Sequence, residues 1–275
     1  MLAYAATATV SSAAALLPVN LTLGAVLAVL LVVAATVAAV ARLTPDEGRG
    51  RAREIAVAGV RATAQLAAVS LLIGWVVRFV PLLLGFLVLM YAVAARTAGR
   101  RITANGTWWW AALPIGAGVA PVVVALLLTG LVPLKGIALI PVTGILIGGA
   151  LTVTVLAGRR ALDELHTRKG EVEAAMALGL TDPDARLLIA RPAASDALLP
   201  GLDQTRTVGL VTLPGAFVGM LLGGASPVQA GAVQLFVLVA LMAVQAVAVA
   251  VVLELVARGR LHRDAADGEA GSAPN

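Results

Sequence analysis

No cysteine occurs in the chain, so disulfides, thiolate metal sites and cysteine nucleophiles are all excluded. Histidine is nearly as scarce, with His166 and His262 alone, and lysine is confined to Lys135 and Lys169. No G-x-x-x-x-G-K-[ST] run is present, so the chain builds no phosphate-cradling lysine loop. Charge is thin as well: 13% of the 275 residues carry it, against roughly 25% in a soluble domain. A surface so poor in charge faces something other than water.

What the chain has in quantity is apolar. Hydrophobic residues make up 60% of it, and the mean hydropathy is +0.97. Several uncharged stretches approach or exceed the ~20 residues that a helix rising 1.5 Å per residue needs to cross a hydrocarbon core of about 30 Å. Leu21 to Ala41 is the cleanest of them. The runs are continuous and rich in Ala, Leu and Val, not alternating as lipid-facing strands would be, which disfavours a barrel. The expected fold is an all-α integral membrane protein, a polytopic bundle of about seven transmembrane helices. The spans are predicted near 20–41, 56–77, 81–95, 108–129, 136–157, 198–222 and 228–256. Arg78 and Pro81 punctuate the second and third, which read as a tight hairpin or a broken pair. The first twenty residues lack a basic start and are interrupted by Pro18 and Asn20, so the first span is expected to be retained and not cleaved as a signal peptide.

The net charge of +5 and pI near 10.6 invite a nucleic-acid reading, but the arginines are scattered between apolar runs and gather on no single face. Membrane topology accounts for them better. One set of connections holds Arg42, Arg49, Arg51 and Arg53; Arg96, Arg100 and Arg101; Arg159, Arg160, Arg168, Lys169, Arg186 and Arg191; and Arg258, Arg260 and Arg263. The alternate set holds only Arg78 and Lys135. Because Lys and Arg in short loops stay on the cytoplasmic side, the expected orientation in the cell membrane is N-terminus outside and C-terminus inside. Residues 1–257 read as one transmembrane domain, and the tail 258–275, rich in Gly, Ala and Asp, as disordered and solvated. Trp108, Trp109 and Trp110 open the fourth span and read as an interfacial anchor.

The connection from Gly158 to about Leu199 is some forty residues long, charged and still helical in pattern. Leu162, Leu165, Val172, Met176 and Gly179 recur at helical steps and end at a glycine suited to a C-terminal stop. Thr181-Asp-Pro-Asp184 then supplies a capping hydroxyl, an early proline and a carboxylate, which start a second helix. Two helices meeting at a sharp cytoplasmic corner are therefore expected over 158–199.

That corner resembles the cytoplasmic loop of ABC-type importer permeases, written E-A-A, three residues, G, nine residues, I-x-L-P. Glu173, Ala174, Ala175, Gly179, Ile189 and Pro192 match at the correct spacing, and Arg191 replaces the leucine. Small residues let a backbone approach a partner's groove closely, and Glu173 offers it a charge. The alternative is an amphipathic helix lying on the membrane or on a neighbouring span. Ile140-Pro-Val-Thr-Gly144, Leu178-Gly-Leu-Thr181, Ala197-Leu-Leu-Pro200, Asp203-Gln-Thr-Arg-Thr-Val-Gly-Leu-Val-Thr-Leu-Pro-Gly215, Arg61-Ala-Thr-Ala-Gln65-Leu66 and Gly224-Ala-Ser-Pro227-Val resemble the FetB family of permeases. The resemblance implies pairing with a separate FetA-type ATPase that holds the ATP and Mg, no cofactor in this chain, and a link to iron export and metal-stress resistance. One seven-span chain with one coupling loop serves one of two ATPase subunits, so a homodimer is expected.

Arg61 and Gln65 lie one turn apart in an apolar span and either line a pathway, or snorkel and bond across helices. Asp203 and Arg206 are placed to pair on a helix face at the entrance to the sixth span, as a gate or anchor. Thr143 and Gly144, and Pro214 with Gly215, are further pathway or gate candidates, where small residues permit close approach or kinking. Glu254 is expected to pair with Arg258. No cluster of Asp, Glu or His appears within the apolar runs, so no metal ligands are named. A secondary carrier with a midplane site, and a membrane scaffold that transports nothing, remain the rival readings. No acid, base and nucleophile set converges to suggest an enzyme.

Overall fold

A computed structural model describes residues 20–43, 50–132 and 136–264. Arg49, Lys135, the segment before Asn20 and the tail beyond Asp264 lie outside the described residues. Ten α-helices and no strand occur among those described, with one isolated bridge between Val208 and Thr212. The all-α polytopic membrane architecture is thus what the structure shows. Among the described residues, six helical segments are long and apolar enough to cross a membrane.

The chain divides into two compact units, Met1–Gly74 and Trp75–Asn275. In the first, α1 (Leu21–Val40) is capped by Asn20, whose side chain accepts from the Leu23 amide at 3.0 Å. It meets α2 (Gly50–Val76) where a Cβ on Gly59 would lie 2.7 Å from Leu31. Most of α1 is exposed, including Val26, Leu27 and Leu30, as suits a helix whose solvent is lipid.

The second unit is organised around α10 (Pro227–Ala257) and α5 (Gly136–Thr167). α10 is apolar all round, and a helix of that kind is stable in a bundle only when neighbours or lipid cover every face. Ala240, Val244, Ala248 and Val252 are buried in one core with Ala150, Val153, Ala157 and Ala161 of α5. α3 (Val80–Ile102) and α4 (Ala112–Leu128) add Ala98, Ile102, Ile115 and Val119 to it. Alanine dominates these contacts because, with lipid as apolar as the core, helices gain by approaching closely and not by expelling water. α3 runs to Ile102 and carries Arg96, Arg100 and Arg101 on its last two turns, so the third span is longer than the 81–95 expected. Arginine there complements the negative C-terminal end of the helix, which lets the helix continue past the apolar run.

Past Thr167 the chain forms α6 (Lys169–Ala177) and α7 (Asp182–Ser195), then a short 3-10 turn and α8 (Leu199–Thr207). An irregular stretch, 208–214, separates α8 from α9 (Gly215–Leu222). The span expected over 198–222 is therefore two short helices with a break and not one helix, and a count of seven unbroken spans is not what the structure gives. Gly209 at φ +84° and Pro214 explain the break: the first is a conformation that side chains disfavour, and the second removes a helix hydrogen bond.

Residues 258–264, expected to be part of a solvated tail, are tied to the rest of the chain at a few points, while Arg258, Arg260, His262 and Asp264 stay exposed. Leu261 is fully buried, and the His262 carbonyl accepts from Thr103 Oγ1 and Asn105 Nδ2, each at 2.9 Å. Arg263 donates to the Ile102 carbonyl at 3.0 Å and pairs with Asp163. The local reason is that α3 and α10 both end here with unpaired carbonyls and a buried face, and this segment satisfies them.

Candidate functional site

The elbow between α6 and α7 forms as its residues dictate. Gly179 adopts φ +101°, its amide reaches the Met176 carbonyl at 2.9 Å, and the Leu180 amide reaches Ala175 at 3.2 Å. This is a Schellman stop, which needs a residue without a Cβ at that position. Thr181 then caps α7: its hydroxyl donates to Asp184 Oδ2 at 2.6 Å and accepts from the Asp184 amide at 3.4 Å. Val172, Ala175, Ala185 and Ile189 form a small core between the two helices, with Leu165 packed against it.

The residues expected to couple to a partner thus fall into two groups. Ala175 and Ile189 hold the elbow together from inside, while Glu173, Ala174 and Gly179 face outward beside Leu178, which is 84% exposed. Pro192 lies within α7 on its exposed side. Glu173 makes only a long pair with Lys169, 3.8 Å apart and both exposed, a geometry that contributes little in water. Leu178 thus stands apolar and exposed at the tip, flanked by small residues and a carboxylate. The joint between α5 and α6 is more firmly held. Arg168 hydrogen-bonds both Glu171 and Glu164, which raises its pKa and holds the Glu171 carboxyl below its ordinary range. A cavity of about 610 Å³ beside this joint is lined by both histidines, His166 and His262, with Asp163, Glu173 and Arg186 among its other walls.

The broken sixth segment is the second candidate. Asp203 and Arg206 pair at 3.5 Å on the exposed side of α8, as their spacing predicts. Gly201 lies against α10 so closely that a Cβ there would sit 2.1 Å from Gln245 Oε1. Across that glutamine, a Cβ on Gly149 of α5 would be 3.4 Å from Gln245 Nε2. Two glycines therefore make room for one buried intramembrane amide. In the break itself the Gly209 amide reaches the Thr212 carbonyl at 2.8 Å, and Thr207 accepts from the amides of Val211 at 2.9 Å and Leu210 at 3.3 Å. Among the described residues, the carbonyls of Val208, Gly209, Leu210 and Val211 accept no hydrogen bond. Leu210 and Val211 are 93% and 77% exposed. Pro214 is the N-terminal flank of α9 and Gly215 its first residue.

Three buried polar atoms have no hydrogen-bond partner in the described residues: Thr143 Oγ1, Thr154 Oγ1 and Gln234 Oε1. Thr143 is one of the pathway or gate candidates of the sequence, and its neighbour Gly144 lies against Met90 of α3. Gln234 and Gln245 are not among those candidates; the signal that reveals them is an amide in an otherwise apolar span. Arg61 and Gln65 are exposed on α2 in the first unit. The tryptophans open the fourth span as a 3-10 turn, Gly106–Ala111, with Arg96 and Arg100 over the Trp108 ring and Arg260 over Trp110 at 5.1 to 5.9 Å. Glu254 pairs with Arg258 at 2.9 Å, as expected. No group of three or more metal-ligating side chains occurs among the described residues.

The family model described as uncharacterised protein family UPF0014 matches residues 21–260. The Arabidopsis thaliana protein ALUMINUM SENSITIVE 3 is 38% identical over 160 residues, covering 56% of this chain and 58% of that protein. The UPF0014 membrane protein STAR2 of Oryza sativa subsp. japonica is 35% identical over 217 residues, 76% of this chain and 74% of its own length. The probable iron export permease protein FetB of Escherichia coli (strain K12) is 30% identical over 126 residues, 46% and 48% of the two chains. No solved structure matches the chain significantly.

Proposed function

The chain belongs to the UPF0014 family, and from that premise we infer that it is the membrane-spanning permease subunit of an ABC transporter, driven by an ATPase on a separate polypeptide. The observation that carries this reading is the α6–α7 elbow: its core residues are buried while Glu173, Ala174, Leu178 and Gly179 are presented at its tip. A rigid elbow of this kind passes a partner's movement into α5, from which it is separated by the single residue Arg168. The cargo proposed is iron or another metal moved outward, in line with the name of the E. coli relative.

Orientation follows from charge. Arg96, Arg100 and Arg260 lie over the tryptophans and Arg263 reaches the Ile102 carbonyl at the end where α3 finishes, and we assign that end, with the elbow, to the cytoplasm. A homodimer supplies one elbow to each of two ATPase subunits. It also answers the exposure of the break at 208–214, because irregular backbone among membrane helices must be covered by protein or face a wet cavity.

The test is co-reconstitution with the candidate ATPase in vesicles. ATP-dependent iron movement and stable association are expected for the native pair, and loss of both for Glu173→Ala combined with Gly179→Ala. Unchanged association and coupled hydrolysis in that variant would remove the elbow from the mechanism. Discontinuous helices also occur in gradient-driven carriers, and that second reading predicts ATP-independent movement by this chain alone.

A further inference from the structure

At 103–105 the chain turns between two segments long and apolar enough to cross a membrane, α3 and Gly106–Leu128. Positive charge gathers at this turn without a counter-charge. Arg96 and Arg100 of α3 both stand over the Trp108 ring, at 5.9 and 5.1 Å from its centroid, and Arg260 stands over Trp110 at 5.3 Å. Trp110 in turn stacks on the exposed Trp109 with centroids 4.2 Å apart. Arg96, Arg100, Arg260 and the exposed Arg101 make no ion pair among the described residues. One carboxylate does reach the turn, that of Asp264, but Asn105 donates to it at 3.1 Å and it pairs with none of the four. The negative end of α3 offers about half an elementary charge, which offsets a fraction of one guanidinium and not four. Arg96 and Arg100, four residues apart, repel each other on one helix face.

The same face continues into the membrane as exposed apolar surface. Leu89, Val93, Arg96 and Arg100 follow at steps of four, three and four, which sets them in line along α3, and all of them are exposed. From Leu89 to Arg100 the helix rises about 16 Å at 1.5 Å per residue, close to half of the ~30 Å hydrocarbon core. An apolar strip one leaflet deep, ended by guanidiniums over a tryptophan, matches a phospholipid in length and polarity. We propose that this face of α3 is a binding site for an anionic phospholipid, with the phosphate on Arg96 and Arg100 and one acyl chain along Val93 and Leu89. Arg260 adds charge from across the tryptophans. The arginine fork suits phosphate oxygens, and basic groups among membrane helices select lipids of net negative charge. A zwitterionic lipid brings its own cation to the arginines and gains less, while a soluble phosphate leaves Leu89 and Val93 uncovered.

The native tryptophans supply the probe, since Trp75 is the only one outside 108–110. Full-length Trp75→Phe protein, without ATPase, is placed in phosphatidylcholine nanodiscs containing a small fraction of lipid with brominated acyl chains, which quench nearby tryptophan. Brominated phosphatidylglycerol should quench more than brominated phosphatidylcholine at the same fraction. Each arginine at an anionic surface changes binding about fivefold, so Arg96→Gln with Arg100→Gln should lower the relative affinity for phosphatidylglycerol roughly 25-fold. Arg96→Lys with Arg100→Lys keeps the charge and should retain most of the preference, which separates charge from a loss of packing on Trp108. Arg78→Gln with Arg191→Gln removes two exposed charges ahead of α3 and on α7, and should change nothing. Excess glycerol 3-phosphate should not relieve the quenching. Equal quenching by the two brominated lipids, an equal loss in the lysine pair or in the Arg78 and Arg191 control, or displacement by glycerol 3-phosphate would overturn the proposal. None of these outcomes bears on the coupling role of the elbow.

Discussion

Gly201→Ala offers a quantitative test of how the broken segment packs. The new methyl group would start 2.1 Å from Gln245 Oε1 and 3.0 Å from its Cδ, far inside van der Waals contact. Gln245 cannot simply swing aside, since it is 7% exposed and Gly149 of α5 closes on its other face. Overpacking of this kind costs about 1–3 kcal/mol. For a chain of this size each kcal/mol moves the midpoint of thermal unfolding by roughly 2–4 °C, so a fall of about 4–8 °C is expected at the centre of that range. Gln245→Ala removes the obstacle, and the double variant should recover most of the loss, with a coupling of roughly 0.5–3 kcal/mol in the cycle. Thermal unfolding of the four proteins in one detergent measures it. A Gly201→Ala penalty that is the same with and without the Gln245 side chain would refute the contact.

Three further outcomes follow from the same reasoning. Thr154 is fully buried in α5 with an unpartnered hydroxyl, so Thr154→Val should stabilise the fold by up to about 1–3 kcal/mol, read as a higher unfolding midpoint. Ser226 and Gln229 form a capping box at the start of α10, and Ser226→Ala should cost about 1 kcal/mol and speed amide exchange in the first turn. Glu171 is held below its ordinary value of 4.5 by Arg168. Its contribution to the α5–α6 joint is therefore complete above that value and lost as pH falls through the depressed one. Acid-dependent loosening, read as amide exchange near Val172, should be present in the native chain and absent in Glu171→Gln.

The elbow was legible because its signals are local: a glycine at positive φ, a threonine cap, and a helical apolar stripe lie within a few residues of one another. One detail was not. The stripe from Leu162 to Gly179 reads as one helix, whereas Arg168, at φ −109° and ψ 33°, divides it into the end of α5 and α6. The sixth span shows the limit of apolar runs as a guide. Length and hydropathy suffice for a continuous crossing, yet Gly209 and Pro214 break it, and glycine also serves close packing in unbroken membrane helices. The role of Gln245 depends on glycines 44 and 96 positions away, and the packing of 258–264 on Thr103 and Asn105 spans more than 150 residues. Neither leaves a periodic trace in the chain.

The account turns on whether the exposed tip of the elbow is the surface that the ATPase covers. Leu178→Cys, carrying an environment-sensitive fluorophore on the chain's single thiol, reports this at one position that is 84% exposed in the free protein. Stoichiometric addition of the ATPase should shift the emission to the blue and shield the dye from a soluble quencher. Unchanged emission and quenching with the ATPase demonstrably bound would contradict the central claim.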